Sequence, residues 1–119
     1  MGFFIGVHST MSFFFPTDNE LVRLTIFPGV HIATCAGEKM MLSIVDLEPN
    51  SVVEEHSHPH EQVGILLEGE ATFIIGGESK QVKPGDLWRI PGNVPHKVIN
   101  GNRPGKAIDI FCPIRQEYL

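Results

Sequence analysis

The sequence predicts one all-β domain, a sandwich or a barrel. Short apolar runs rich in Val, Ile, Leu and Phe are broken every few residues by Pro, Gly and Asn, which is the punctuation of strands and turns. No stretch sustains a helical period. At 119 residues the chain is about one domain long, enough to bury a single core, and no linker or low-complexity segment divides it.

Taken in order, the chain opens with an apolar arm, residues 1–20, in which Phe3, Phe4, Ile5, Phe13, Phe14 and Phe15 stand out. A secretion signal is not expected, because the first basic residue is Arg23 and His8, Ser9 and Thr10 interrupt the run. A membrane span would need about 20 continuous apolar residues. The arm is therefore expected to pack on the body or on a neighbour, and an exposed Phe cluster favours a homodimer. The barrel itself is expected over residues 21–119. Its strands are predicted at Leu21–Ile26, Met40–Leu47, Gln62–Leu67, Ala71–Ile75, Ser79–Val82, Leu87–Ile90, His96–Ile99 and Ala107–Cys112. Between them lie the turn signals Glu48-Pro49-Asn50, Glu68-Gly69-Glu70, Gly76-Gly77, Lys83-Pro84-Gly85-Asp86, Pro91-Gly92-Asn93 and Asn100-Gly101-Asn102. Gly76-Gly77 between two β-rich runs predicts a tight hairpin with positive φ.

Composition narrows the function classes. With 42% hydrophobic and 19% charged residues, the chain is neither disordered nor a membrane protein by composition. A net charge of -5 argues against a nucleic-acid partner, which needs a basic face. Cys35 and Cys112 show no CxxC spacing, so two free thiols in a reducing, cytoplasmic setting are expected, with a single bridge as the alternative.

The chemistry concentrates in His56-Ser57-His58-Pro59-His60-Glu61-Gln62, where three imidazoles and an amide fall within seven residues. Residues two apart on a strand share a face, so His56 and His58 are expected to aim at one point. Pro59 is expected to stop that strand, and a turn through His60 and Glu61 brings Gln62 in as a third donor. His96, behind the rigid Pro91-Gly92-Asn93-Val94-Pro95 loop, is the candidate fourth. Such a donor set suits one divalent transition metal: zinc, nickel, manganese, iron or copper. With Gln in place of a carboxylate, the ion's charge is uncompensated, so the site should attract an anionic small-molecule substrate and act as a stronger Lewis acid. Gly64, on the same strand face as Gln62, is expected to leave room beside the metal. His8 and His31 read as ordinary surface or core residues.

These residues resemble the cupin family, over most of the chain. Its first motif, G-x5-HxH-x3,4-E-x6-G, is matched at His56, His58 and Gly69, with Gln62 in the glutamate position and Asn50 replacing the first glycine. Its second, G-x5-P-x-G-x2-H-x3-N, is matched at Gly85, Pro91, His96 and Asn100, with Asn93 replacing the inner glycine. Asn is the residue next most tolerant of a left-handed backbone, so both replacements are expected to be mild. The resemblance implies a double-stranded β-helix, the jelly-roll cupin barrel, with metal held by His56, His58, Gln62 and His96.

The terminal segment from Asp109 to Leu119 resembles the close of the pectin-degradation, KdgF-like cupins, D-x-F-x-P-x-R-x-x-[FY]-L. That resemblance implies a metal-dependent lyase or isomerase that linearises 4,5-unsaturated uronates. It also implies substrate contacts at Asp109, as acid/base or to orient a hydroxyl, at Arg115, as a carboxylate clamp sharing in catalysis and binding, and at Phe111, as a platform for the sugar face. The roles suit the side chains, and alternation places Asp109 and Phe111 on one face. Structural readings stand beside them: Phe111 as core, Asp109 as an orienting residue, Arg115 paired with Glu117 or a partner subunit. Two other functions fit the same fold, a metal-dependent dioxygenase and a non-catalytic sugar- or metabolite-binding module. Neither thiol sits in a motif for nucleophilic catalysis.

Overall fold

The computed structural model describes residues 12–119. Within them the chain forms ten strands: β1 (Val22–Phe27), β2 (Val30–Ala36), β3 (Met41–Leu47), β4 (Val52–His56), β5 (Glu61–Glu68), β6 (Ala71–Ile75), β7 (Glu78–Val82), β8 (Leu87–Ile90), β9 (His96–Asn100) and β10 (Gly105–Cys112). Short 3-10 turns at Asp18–Glu20 and Gln116–Tyr118 flank them. Antiparallel pairing gives a six-stranded sheet, β1-β2-β3-β10-β5-β8, and a four-stranded sheet, β4-β9-β6-β7. This is the all-β jelly-roll barrel that the sequence predicts. The arm expected at residues 1–20 lies outside the described residues as far as Met11, so His8 and the first apolar cluster are not described.

Two strands, β2 and β4, fall outside the predicted set. In β2 the buried residues include Ala33 and Thr34 beside Val30 and Ile32, so apolar-polar alternation is blurred. β4 carries the exposed Glu54 and Glu55, and it lies at a sheet edge, where charges protect unpaired backbone.

The core lies between the sheets. Alternation along β3 turns Met41, Ser43, Val45 and Leu47 inward. Leu66 from β5 and Trp88 and Ile90 from β8 extend this layer in the same sheet, and Phe73 from β6 meets it from the other. Met41 and Leu66 are each 1% exposed, and full burial of such a side chain stabilises by about 1.5–3 kcal/mol.

The turns match their chemistry. Gly76 and Gly77 have φ of 56° and 84°, the pair of left-handed residues that a two-residue hairpin requires. Asn50 and Asn93 are the described non-glycine residues with positive φ, at 63° and 67°. They are the two positions where asparagine stands for a cupin glycine. Asn100 works through its side chain instead. Its buried amide donates to the carbonyls of Glu48 and Arg103, each at 3.0 Å, tying two turns together beneath β9.

Candidate metal centre

His56, His58 and His96 come together at one end of the space between the sheets. His56 and His96 are direct partners across the β4–β9 ladder, and their ring centroids lie 4.3 Å apart. His58 arrives differently from the expectation. β4 ends at His56, so the two histidines do not share a strand face; His58 reaches the cluster from the loop that follows. Nor does Pro59 end the strand, which has stopped three residues earlier. The backbone of that loop is held by the Pro91–Asn93 turn, where the Asn93 amide donates to the His58 carbonyl at 2.7 Å. His58 lies 5.6 Å from His56 and 5.0 Å from His96, centroid to centroid.

Each imidazole is pinned by a backbone carbonyl. His56 Nδ1 lies 2.8 Å from the Glu54 oxygen, His96 Nδ1 2.8 Å from that of Val94, and His58 Nδ1 3.0 Å from that of His60. A carbonyl oxygen only accepts, so each Nδ1 carries the proton and donates it. The neutral rings then present Nε2 lone pairs. Burial, reinforced by the Arg115 charge and by the other histidines, lowers the His58 pKa from 6.5 to about 4. Burial likewise lowers that of His96, against the raising effect of its bond to Val94. The Nε2 of His96 is buried with no partner, and an orphaned buried acceptor is costly unless something fills its place. One ligand atom from each of the three histidines lies within 4.8 Å of the others. The cluster therefore fits a single metal ion.

Gln62 stands at the start of β5, 8% exposed, with Oε1 3.1 Å from His58 Nε2. Its amide also hydrogen-bonds the Asp109 carboxylate, to which the Trp88 indole N–H donates at 2.8 Å. Burial of its carboxyl raises the Asp109 pKa, while Gln62, Trp88 and Arg115 oppose the rise. Gly64 does not open room beside the metal. A Cβ there would collide with the Trp88 indole and the Asp109 carboxylate, so that space is already filled by the contact between them.

Asp109, Phe111 and Arg115 line the same cavity as His56, Gln62 and His96, a space of about 60 Å³. Arg115 is 8% exposed. Its guanidinium carbon lies 4.1 Å from the Tyr118 ring centroid and 5.1 Å from that of Phe111. It pairs with Glu117 at 3.4 Å, and its Nε is buried without a partner. Tyr118 and Trp88, which sequence reasoning did not place in the site, also line this cavity. The signal for Tyr118 is its place in the terminal pattern; a lone Trp in an apolar strand gives none. His60, read as a turn residue, is half-buried beside His58 at 5.5 Å, and Glu61 is exposed. His31 bonds Thr25 and Glu48 on the surface, away from the cluster.

Fold and cluster define a cupin with a site compatible with a metal ion. The Cupin_2 family, described as "Cupin domain", matches residues 43–111, and this chain belongs to it. Among curated proteins, the chain is 29% identical over 99 residues to the uncharacterized protein MJ1618 of Methanocaldococcus jannaschii, covering 81% of this chain and 75% of the relative. It is 26% identical over 83 residues to the pectin degradation protein KdgF of Dickeya dadantii, covering 69% and 76%. Among solved structures, KdgF from Halomonas sp. superposes with a TM-score of 0.78 at 25% identity, over 87% of this chain and 96% of that one. An RmlC-like cupin from Shewanella frigidimarina gives 0.81 at 24% identity, over 91% and 97%.

Proposed function

We propose that this cupin is a metal-dependent isomerase or lyase that opens the ring of a 4,5-unsaturated uronate or a similar carboxylated sugar. The carrying observation is that the His56, His58 and His96 cluster adjoins a cavity that His56 and His96 line together with the Asp109 carboxyl and the Arg115 guanidinium. His56, His58 and His96 would hold a divalent ion, zinc, nickel, manganese or iron, and Gln62 would be the fourth donor. Two donors about 2.1 Å from one ion sit roughly 3.0–3.4 Å apart, and the separation of His58 Nε2 and Gln62 Oε1 is 3.1 Å. Both atoms are acceptors in the tautomer that the His60 carbonyl imposes on His58, so a cation between them removes a repulsion. The bound ion supplies Lewis acidity toward a carboxylate or carbonyl oxygen.

The protein's own groups account for the rest. Arg115, with Nε unpaired, leaves Glu117 and takes the substrate carboxylate. Phe111 gives the sugar an apolar face. Asp109, whose carboxyl is pushed above its ordinary pKa by burial, moves the proton. As the anomeric hydroxyl gives up its hydrogen, the bond from C1 to the ring oxygen breaks and C1 becomes an aldehyde. The ring oxygen leaves as the C5 enol, and a proton delivered to C4 makes it a ketone. Nothing is oxidised or reduced. A hexuronate needs more than about 60 Å³, so the lining of the cavity must give way to admit it. A homodimer and a cytoplasmic, reducing setting belong to the same reading. They are supported by Phe13 and Phe15, 81% and 78% exposed, and by the unbonded Cys35 and Cys112. Among the described residues no helix is long and apolar enough to cross a membrane.

The test is proton NMR of freshly made 4,5-unsaturated galacturonate with metal-stripped and metal-reloaded protein. Loaded protein should speed loss of the cyclic form, and Arg115→Ala should not. If the ion stays bound and no metal form accelerates the change, the proposal fails.

A further inference from the structure

An amide side chain is nearly symmetric in shape, so nothing about Gln62 itself decides which end faces the histidines. Its surroundings decide. The oxygen faces His58, with Oε1 3.1 Å from Nε2, so the end of the amide that bonds the Asp109 carboxyl is the NH2, which only donates. Asp109 in turn is held by the Trp88 indole N–H at 2.8 Å. Trp88 and Asp109 lie on β8 and β10, on either side of β5, and both pair with Gly64 across the sheet. Their side chains meet over that residue, where any Cβ would collide with both. Trp88 is itself fixed, 7% exposed and with its ring 4.3 Å from that of Phe73.

We infer that Trp88 is a positioning residue of the metal centre, acting through Asp109 and Gln62, and that residue 64 lacks a side chain so that this contact can form. The inference rests on Gln62 being the fourth donor. The indole fixes the carboxylate, the carboxylate fixes the direction of the amide, and the amide oxygen is presented to the ion already oriented. The same chain ties the group that moves the proton to the group that holds the metal, so a disturbance at Trp88 reaches both.

The test uses the full chain, stripped of metal and titrated with Co2+ against a competing chelator, with the visible absorption of bound Co2+ recorded. Partners that orient a ligand are worth about 10–100-fold in metal affinity. Gln62→Ala should bind at least tenfold more weakly. Trp88→Phe, which keeps a ring against Phe73 but loses the donor, should bind about tenfold more weakly and shift the Co2+ bands; a role confined to packing would leave those bands unmoved. If Gln62→Ala weakens binding while Trp88→Phe keeps parental affinity and spectrum, the positioning role is wrong and the four-donor reading stands. If Gln62→Ala itself binds like the parent, the four-donor reading falls and the inference with it. A measurement that needs no folded Trp88 variant is the indole Nε1–H resonance on adding Zn2+. It should move in the parent and stay in Gln62→Ala, and an unmoved parental resonance overturns the inference.

Discussion

Gly64→Ala should be among the most damaging single-carbon additions to this protein. The new methyl would occupy the place where the Trp88 indole meets the Asp109 carboxylate, and Trp88 is braced from behind by Phe73, so neither side yields freely. Losing a hydrogen bond to a charged group costs about 1.5–3 kcal/mol, and overpacking a filled site about 1–3 kcal/mol. Removing glycine's freedom in the unfolded chain returns about 0.4–1 kcal/mol. The net destabilisation is roughly 3 kcal/mol, a fall in Tm on the order of 10 °C for a domain of this size. Urea unfolding of the metal-free protein measures it. Gly37→Ala is the control: its nearest obstacle is the Met40 carbonyl at 3.4 Å, and its stability should change by no more than about 0.5 kcal/mol. If Gly64→Ala matches that control, and the indole N–H resonance of Trp88 keeps its position, the argument for a crowded contact over residue 64 is wrong.

Two further outcomes follow from the same geometry. His58 has a folded pKa of about 4 against 6.5 unfolded, so below pH 6.5 the unfolded chain takes the proton more readily. Stability of the metal-free protein should therefore fall as pH drops from 6.5 to 4, by about 3 kcal/mol from this group. His96 acts in the same sense. Asp109, with its pKa raised, acts in the opposite one, stabilising at low pH and losing that contribution as pH rises through its folded value. The difference in unfolding free energy between the parent and His58→Gln, followed from pH 7 to 4, isolates the histidine; a flat difference contradicts the assignment. At the Pro91–Asn93 turn, Asn93→Ala should destabilise by about 1 kcal/mol because φ is 67°, whereas Asn93→Gly should be close to neutral; equal thermal shifts for the two would contradict it.

Much of this was legible in the sequence, for identifiable reasons. The two asparagines in glycine positions could be read because few residues tolerate a left-handed backbone, and both adopt it. His56 and His96 were legible from motif spacing. The terminal Asp109 and Phe111 were legible from strand alternation, which places both in the cavity with Ile110 turned outward. Other features depend on neighbours that the sequence does not order in space. His58 could not be placed off the strand, because HxH spacing looks the same in a strand and in a loop. Gly64 reads as empty space until β8 and β10 are known to flank β5; only then do Trp88 and Asp109 fill it. β4 hides behind two glutamates that suit an edge strand, and β2 behind a buried threonine and alanine.

The central claim is that three imidazoles, each pinned through Nδ1 to a backbone carbonyl, turn their Nε2 atoms on one divalent ion. Zinc content after loading and exhaustive dialysis, measured for the parent and for His96→Ala, tests it most directly. One equivalent per chain in the parent and loss of most of it in the variant is the predicted result. Full retention by His96→Ala would contradict the claim.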